Sequence, residues 1–457
     1  MTRVRALIKG KNFKRLSWSL GSRLGSTVLS FVVLFAASRS LETADYGLYI
    51  FLFSVGTSLG LIFTFGQHVL LVKHFRVQDH RRGKTNQRLL RVNALWLGAG
   101  CGLQLIAALG VWLVSDRLPA PYDALPVALV FGAVFTLGEY LQNYFRIHGQ
   151  IVMALVPREN LWRALSALAL PAVAYAGLLS GGVMAMEVVT ALLFVLVGFQ
   201  TACFLMREGM TFLRARPGEP AIPWGAWTRE TMVFSANGFF LAAAVYFETI
   251  VIGLAIGLEA AAFYFVAYRI AMLLTLPVLA IDTVGVPLIA AKFQEDDRPG
   301  AQRLVSMLSA GSFALAVLGG VFLFVVGPFV LHLFDPAFVE HEDVLVLLSL
   351  AAISHAFFGP GTWLAMIGGG ETYLLKMRSV VFLVYVAGLL GLGVAFGLAG
   401  VAIASWAQLV VVHALSRRWV MNRWQVDNMA TSALWLWRNR HRMQGQDRPQ
   451  ESAHARS

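Results

Sequence analysis

The chain has 457 residues, of which 58% are hydrophobic and 14% charged, and its formal net charge is +12. A mean hydropathy of +0.67 excludes a soluble globular domain of this size, which would need far more polar surface. The basic balance argues for no nucleic-acid partner, because the charge is spread over short loops between apolar runs.

In chain order, residues 1–15 are basic and the apolar stretch after them is a full span with no small-residue cleavage site, so no cleavable signal peptide is expected. Twelve apolar runs of membrane-spanning length follow, at 16–38, 47–71, 92–115, 124–145, 161–180, 185–206, 230–255, 260–291, 304–333, 344–367, 379–397 and 399–416. The predicted fold class is therefore all-α, a polytopic membrane protein of about twelve transmembrane helices. The runs divide into a six-helix lobe over 16–206, a linker over 207–229 and a second six-helix lobe over 230–418. Placing both termini in the cytoplasm puts 33 of the 37 Lys and Arg residues on that face and leaves only Arg39 and Arg117 on the other. Cys101 and Cys203 fall inside spans and read as packing residues rather than a disulfide or a metal site. Residues 419–457 make a basic, aromatic tail. There Trp419, Trp424, Trp435 and Trp437 alternate with Arg418, Arg423, Arg438, Arg440 and Arg442, a mixture suited to an interfacial helix on an anionic leaflet. The last stretch, 444–457, has a disordered composition.

The two arginines not yet placed, Arg23 and Arg269, lie inside spans. A guanidinium keeps its charge, and at a helix centre this costs about 2.5–3.5 kcal/mol on insertion scales. Such a charge needs a cavity, a partner or an anionic ligand. Residues 35–75 and 251–293 also resemble each other. In both, a span ends in a short acidic outer loop, a long span follows, and a basic-aromatic pair closes it, His74-Phe75 or Lys292-Phe293. An offset of six spans preserves orientation, as in parallel-repeat transporters.

Ser38-Arg39-Ser40-Leu41-Glu42-Thr43-Ala44-Asp45-Tyr46-Gly47 resembles the "A-R-x-L-x-x-x-(D/E)-Y-G" loop of polysaccharide flippases. These are members of the multidrug/oligosaccharidyl-lipid/polysaccharide (MOP) exporter superfamily. Glu248 followed by Thr249-Ile250-Val251-Ile252-Gly253 resembles that family's acidic residue, apolar run and glycine. Tyr264 to Ala271 resembles its "Y-x-x-A-Y-R-(L/I)" segment, and Pro287 its proline closing the eighth span. Ser38 replaces a small apolar residue, and Glu248 stands where Asp is more usual. The resemblance implies a MATE-like fold of two six-helix lobes around a central cavity, working by alternating access in a bacterial inner membrane. It implies a lipid-linked oligosaccharide substrate, a polyprenyl pyrophosphate carrying a sugar repeat unit, and no enzymatic activity. Membrane lipids, and the polymerase and chain-length proteins of a glycan assembly pathway, are the implied partners. No cofactor is expected beyond a coupling ion, H+ or Na+.

Arg23, Glu139 and Asp282 share the cytoplasmic half of the membrane; Glu248 and Arg269 share the outer half. The expected pairings are Glu248 with Arg269, and Arg23 with Glu139 or Asp282. On one reading these are buried ion pairs that fix helix packing. On the other, the arginines line the cavity and meet the pyrophosphate, while the acids hold them in its absence or carry a coupling proton. His355, just before Gly359-Pro360-Gly361, is a packing residue or a coupling site near an expected helix break. Gln67, His68, Asn143, Gln200, Asn237 and Gln408 are helix–helix hydrogen-bonders or contacts for sugar hydroxyls, with Gln67 and Asn237 the preferred substrate-binding candidates.

Three other readings compete. A major-facilitator transporter has a faint echo in Asp79 to Lys84, although Phe75 stands where that family's loop needs a glycine. A membrane glycan polymerase or ligase would need a larger outer loop than the dozen residues around Asp335 to Asp343, and no nucleotide-binding glycine motif is present. A drug or peptidoglycan-precursor exporter of the same superfamily keeps the fold and changes the cargo.

Overall fold

A computed structural model describes residues 11–75, 84–214 and 223–434, and every regular element among them is helical. In chain order the helices are α1 (Lys11–Ser40), α2 (Thr43–Ile62), α3 (Gln67–His74), α4 (Lys84–Trp112), α5 (Leu125–Ile147), α6 (Ile151–Leu155), α7 (Trp162–Tyr175) and α8 (Gly182–Glu208). They continue with α9 (Trp224–Ala242), α10 (Glu248–Ala255), α11 (Leu258–Met272), α12 (Leu276–Gln294), α13 (Arg298–Phe334), α14 (Glu342–Phe358), α15 (Gly361–Ile367) and α16 (Glu371–Trp424). Each of the twelve expected spans falls on one of these helices or on a consecutive pair. Among the described residues, seven helices are long and apolar enough to cross a bilayer, and two bent pairs qualify jointly. Helix is the form an isolated segment must take in lipid, because it satisfies its own backbone. Hydroxyls inside the spans follow the same logic and bond back one turn: Thr57 to the Phe53 carbonyl, Thr190 to Met186 and Ser416 to Val412.

With 54 residues, α16 would run about 80 Å if straight, far beyond a hydrocarbon core of about 30 Å. It turns at Gly397, whose φ of 59° is left-handed, and so holds both the eleventh and the twelfth span. Gly400 completes the turn. A Cβ there would lie 1.9 Å from the Leu392 carbonyl oxygen, so only glycine lets the two arms approach this closely.

Contacts divide the chain into two compact units, Met1–Phe263 and Tyr264–Ser457. Helices α9 and α10 pack on α2 and belong to the first unit. In that unit α5 is central and touches α2, α4 and α8. Its core is aromatic: Tyr46, Tyr49, Phe51, Phe131, Tyr144 and Phe145 are all almost fully buried. The Asp45-Tyr46-Gly47 signature is structural here. Asp45 accepts a 3.0 Å hydrogen bond from the Gly182 amide at the start of α8, the acceptor a helix N-terminus needs. Gly47 meets the backbone before α11, where a Cβ would fall 2.4 Å from the Leu258 carbonyl oxygen.

In the second unit α12, α13, α15 and α16 surround one apolar cluster that includes Ile289, Val305, Leu364, Leu374 and Val420. Here the structure corrects the expected tail. α16 runs on to Trp424, and Trp419 and Trp424 turn inward onto that cluster. The Trp424 ring centroid is 4.5 Å from that of Phe293. Burying these large rings inside the unit is more favourable than a lipid-facing position, because helices α12 and α15 offer them a packed surface. Trp435, Trp437, Arg438, Arg440, Arg442 and residues 444–457 lie outside the described residues.

Candidate functional site

The polar centre of the first unit begins at a bend in the second span. Between α2 and α3 the chain turns through Phe65 and Gly66, both with positive φ. Gln67 follows, fully buried, and donates to the Phe65 carbonyl at 3.1 Å and to Thr231 Oγ1 at 3.2 Å. On the facing side, Pro157 begins a π turn over Val156–Leu161. Proline has no N–H, so the Met153 carbonyl loses its helical donor. Gln200 of α8 supplies one instead, from Nε2 at 2.8 Å. The wide turn brings Arg158 and Glu159 into the unit, a common role for π segments.

Four charges then close into a network. Arg158, 6% exposed, pairs with Glu139 of α5 at 2.6 Å and lies over the Phe135 ring at 4.2 Å. Its Nη1 donates to Gln142 Oε1. Glu159 accepts from Arg163 at 2.7 Å, from Ser26 of α1 at 3.0 Å and from Gln142 at 3.3 Å. Ser22 adds a bond to Asn160 at 3.1 Å. Two carboxylates and two guanidinia balance, the condition under which a low-dielectric interior accepts charge. The network ties α1, α5 and α7 together.

In the second unit the tenth span breaks where Gly359-Pro360-Gly361 predicts, and α14 and α15 meet at 44°. Gly361 N–H turns to the Gly359 carbonyl at 2.9 Å, so the Phe357 carbonyl lacks its helical donor. The segment after α16 fills the gap. Ala430 N–H donates to Phe357 at 2.8 Å, and the fully buried Asn428 donates to the Phe358 carbonyl. Asp427 anchors the segment through Arg417 at 3.0 and 3.1 Å and through Gln302 at 2.7 Å. One turn before the break, the His355 ring lies 4.8 Å from that of His413, which stacks on Phe358.

The described residues thus combine broken membrane-length helices with buried charge. Residues 13–294 match the polysaccharide biosynthesis protein family. The chain belongs to that family. No curated protein sequence matches. Among solved structures, the chain is similar to an inward-facing multidrug resistance MATE family transporter of the MOP superfamily, with a TM-score of 0.68, 17% identity and coverage of 87% of this chain and 94% of that one. It is also similar to the lipid II flippase MurJ in an inward closed conformation, with a TM-score of 0.61, 10% identity and coverage of 94% and 93%. The likeness shows that the chain shares the fold of these structures.

Within this polysaccharide biosynthesis family member, the expected site residues separate. Gln67 is a buried helix-to-helix donor to Thr231, and Gln200 likewise serves a helix carbonyl. Glu139 pairs with Arg158, which the sequence reading had left in a loop and which the π turn brings into the unit. The side chains of Arg23, Asp282 and Asn237 lie outside the described residues. Glu248 opens α10, and Arg269 sits on α11 with its guanidinium 4.8 Å from the Phe265 ring centroid. His355 gains a partner in His413, which the sequence reading had not singled out. Arg158, Glu159 and Arg163 were missed as well. Their signals were an acid inside an otherwise basic loop, and the i,i+4 spacing of Glu159 and Arg163.

Proposed function

We propose that the protein is a flippase that moves a polyprenyl-pyrophosphate-linked oligosaccharide from the cytoplasmic to the periplasmic leaflet of a bacterial inner membrane by alternating access. The observation that carries this reading is membership of a polysaccharide biosynthesis family by a chain with a transporter fold. Polysaccharides are assembled from precursors that must cross the membrane, and a fold shared with transporters suits that crossing step. The outer turn after α13 is only the short helix Pro336–His341. Arg23 and Arg269 are the proposed phosphate contacts, a coupling ion such as H+ or Na+ the proposed driving force, and the polymerase and chain-length proteins of the pathway the proposed partners.

The test is genetic and biochemical. A deletion strain should accumulate the lipid-linked repeat unit on the cytoplasmic leaflet, and the wild-type gene should clear it. Arg269→Ala should fail to clear it while reaching wild-type levels in the membrane. Clearance without the gene removes the flippase reading; drug sensitivity in place of precursor accumulation assigns the fold to drug export.

A further inference from the structure

Helices α4, α5 and α8 of the first unit line a groove of about 660 Å³, a volume in the range of small-molecule sites. Its mouth lies where α4 ends and α5 and α8 begin, at Trp112, Pro126 and Glu187. Its deep end lies at Leu105, Val134 and Val195. From Pro126 to Val134, and from Glu187 to Val195, the helices advance about 12 Å. That length fits within one leaflet, about 15 Å of hydrocarbon. Trp112, Phe194 and Val195 are exposed, so the groove opens on the flank of the helices, where lipid surrounds a spanning protein. Trp112 at the mouth has the place of an interfacial aromatic residue.

The lining carries one charge, the carboxylate of Glu187. Thr190 turns its hydroxyl to the Met186 carbonyl at 2.6 Å, and Trp112 has only an N–H to donate. Among the described residues no hydrogen bond or ion pair engages the Glu187 carboxylate. Nor does it cap its helix. It stands five residues past Gly182, beyond the first turn where the macrodipole acts, and Asp45 already accepts the Gly182 N–H at 3.0 Å. The other ionisable groups around the mouth are Asp116, Arg117 and Asp123, so acids outnumber bases there. This end of the groove therefore repels a phosphate and attracts a cation. A primary ammonium has N–H donors, which a carboxylate accepts in short, strong hydrogen bonds. An ammonium head joined to an alkyl chain matches a carboxylate at the mouth of an apolar trough, and an amine-bearing phospholipid has both parts.

We propose that this groove binds phosphatidylethanolamine, with Glu187 accepting from its ammonium group and one acyl chain lying between α4, α5 and α8. The bound lipid is distinct from the translocated cargo, and the site stands whether or not the chain is a flippase.

Purified full-length protein in detergent micelles would be titrated with dioleoyl phosphatidylethanolamine and dioleoyl phosphatidylglycerol, which share their chains and differ in the amine. Native mass spectrometry and thermal unfolding are the readouts. The ethanolamine lipid should bind about tenfold more tightly than the glycerol lipid and raise the melting temperature more. Glu187→Gln should erase that preference, weakening ethanolamine-lipid binding by about tenfold, and Glu187→Asp should keep most of it. Ala191→Trp, which fills the groove from an exposed lining position, should abolish binding of both lipids. Without lipid, E187Q should melt with wild type, because its carboxylate has no protein partner to lose; a large drop would reveal a structural partner and overturn the proposal. Glycerol-lipid binding as tight as ethanolamine-lipid binding, or unchanged ethanolamine-lipid binding in E187Q, overturns it as well. Tighter binding of dodecyltrimethylammonium, a cationic amphiphile without N–H donors, would assign the groove to such cations in place of the phospholipid.

Discussion

Arg158 holds the one described guanidinium that is almost fully buried, and its energetics follow from what surrounds it. The Glu139 carboxylate at 2.6 Å and the Phe135 face at 4.2 Å replace its water. Breaking a buried pair by removing one partner costs about 3–5 kcal/mol, since the other charge stays behind uncompensated. Removing both partners together costs much less. Arg158→Gln and Glu139→Gln should therefore each lower the melting temperature of the purified protein strongly, and the double variant should recover a large part of the loss. A double variant no more stable than either single one would show that packing around α5, not charge compensation, dominates here. Arg269 is the contrasting case. Its guanidinium lies 4.8 Å from the Phe265 ring centroid and is half-buried.

At the scale of elements, the broken tenth span shows how a non-helical backbone is tolerated inside the second unit. The break frees carbonyls that water cannot reach in lipid, and protein groups must answer them. The segment after α16 does so with Ala430 N–H and the Asn428 amide. Asp427, by contrast, meets Arg417 where both side chains are about a third exposed. Losing a buried acceptor's partner costs about 1–3 kcal/mol, whereas a solvent-screened pair contributes about 0–1 kcal/mol. Asn428→Ala should accordingly lower the melting temperature more than Asp427→Ala, and should expose the α14–α15 junction to protease first. The reverse order would mean that the ion pair, and not the carbonyl cap, holds the segment in place.

Across the whole molecule, what could be read from sequence depended on how far the signal travels along the chain. The spans were legible because apolarity over about 20 residues is a local property, and Gly359-Pro360 announced its break in the same way. The Asp45-Tyr46-Gly47 motif was legible as a resemblance, but its role was not. Its partners, Gly182 and Leu258, lie more than a hundred residues away. Arg158 was counted among loop cations because nothing local distinguishes a cation in the headgroups from one drawn inward by a π turn. The inward turn of Trp419 and Trp424 was hidden for the same reason, as it depends on the surface that α12 and α15 present.

Orientation is the property of the whole chain that rests most fully on sequence, and it is open to a direct test. The asymmetry of 33 cations against 2 would be lost only if several loops crossed against the positive-inside bias. Four exposed positions sample both faces: Asp123 before α5 and Glu340 before α14 on the acidic side, and Gln150 after α5 and Glu295 after α12 on the basic side. With Cys101 and Cys203, both half-buried and free, replaced by alanine, one cysteine would be introduced at each of these positions in turn. A membrane-impermeant maleimide applied to spheroplasts should label positions 123 and 340 and spare 150 and 295 until the cells are lysed. Labelling of the second pair in intact spheroplasts, with protection of the first, would invert the topology.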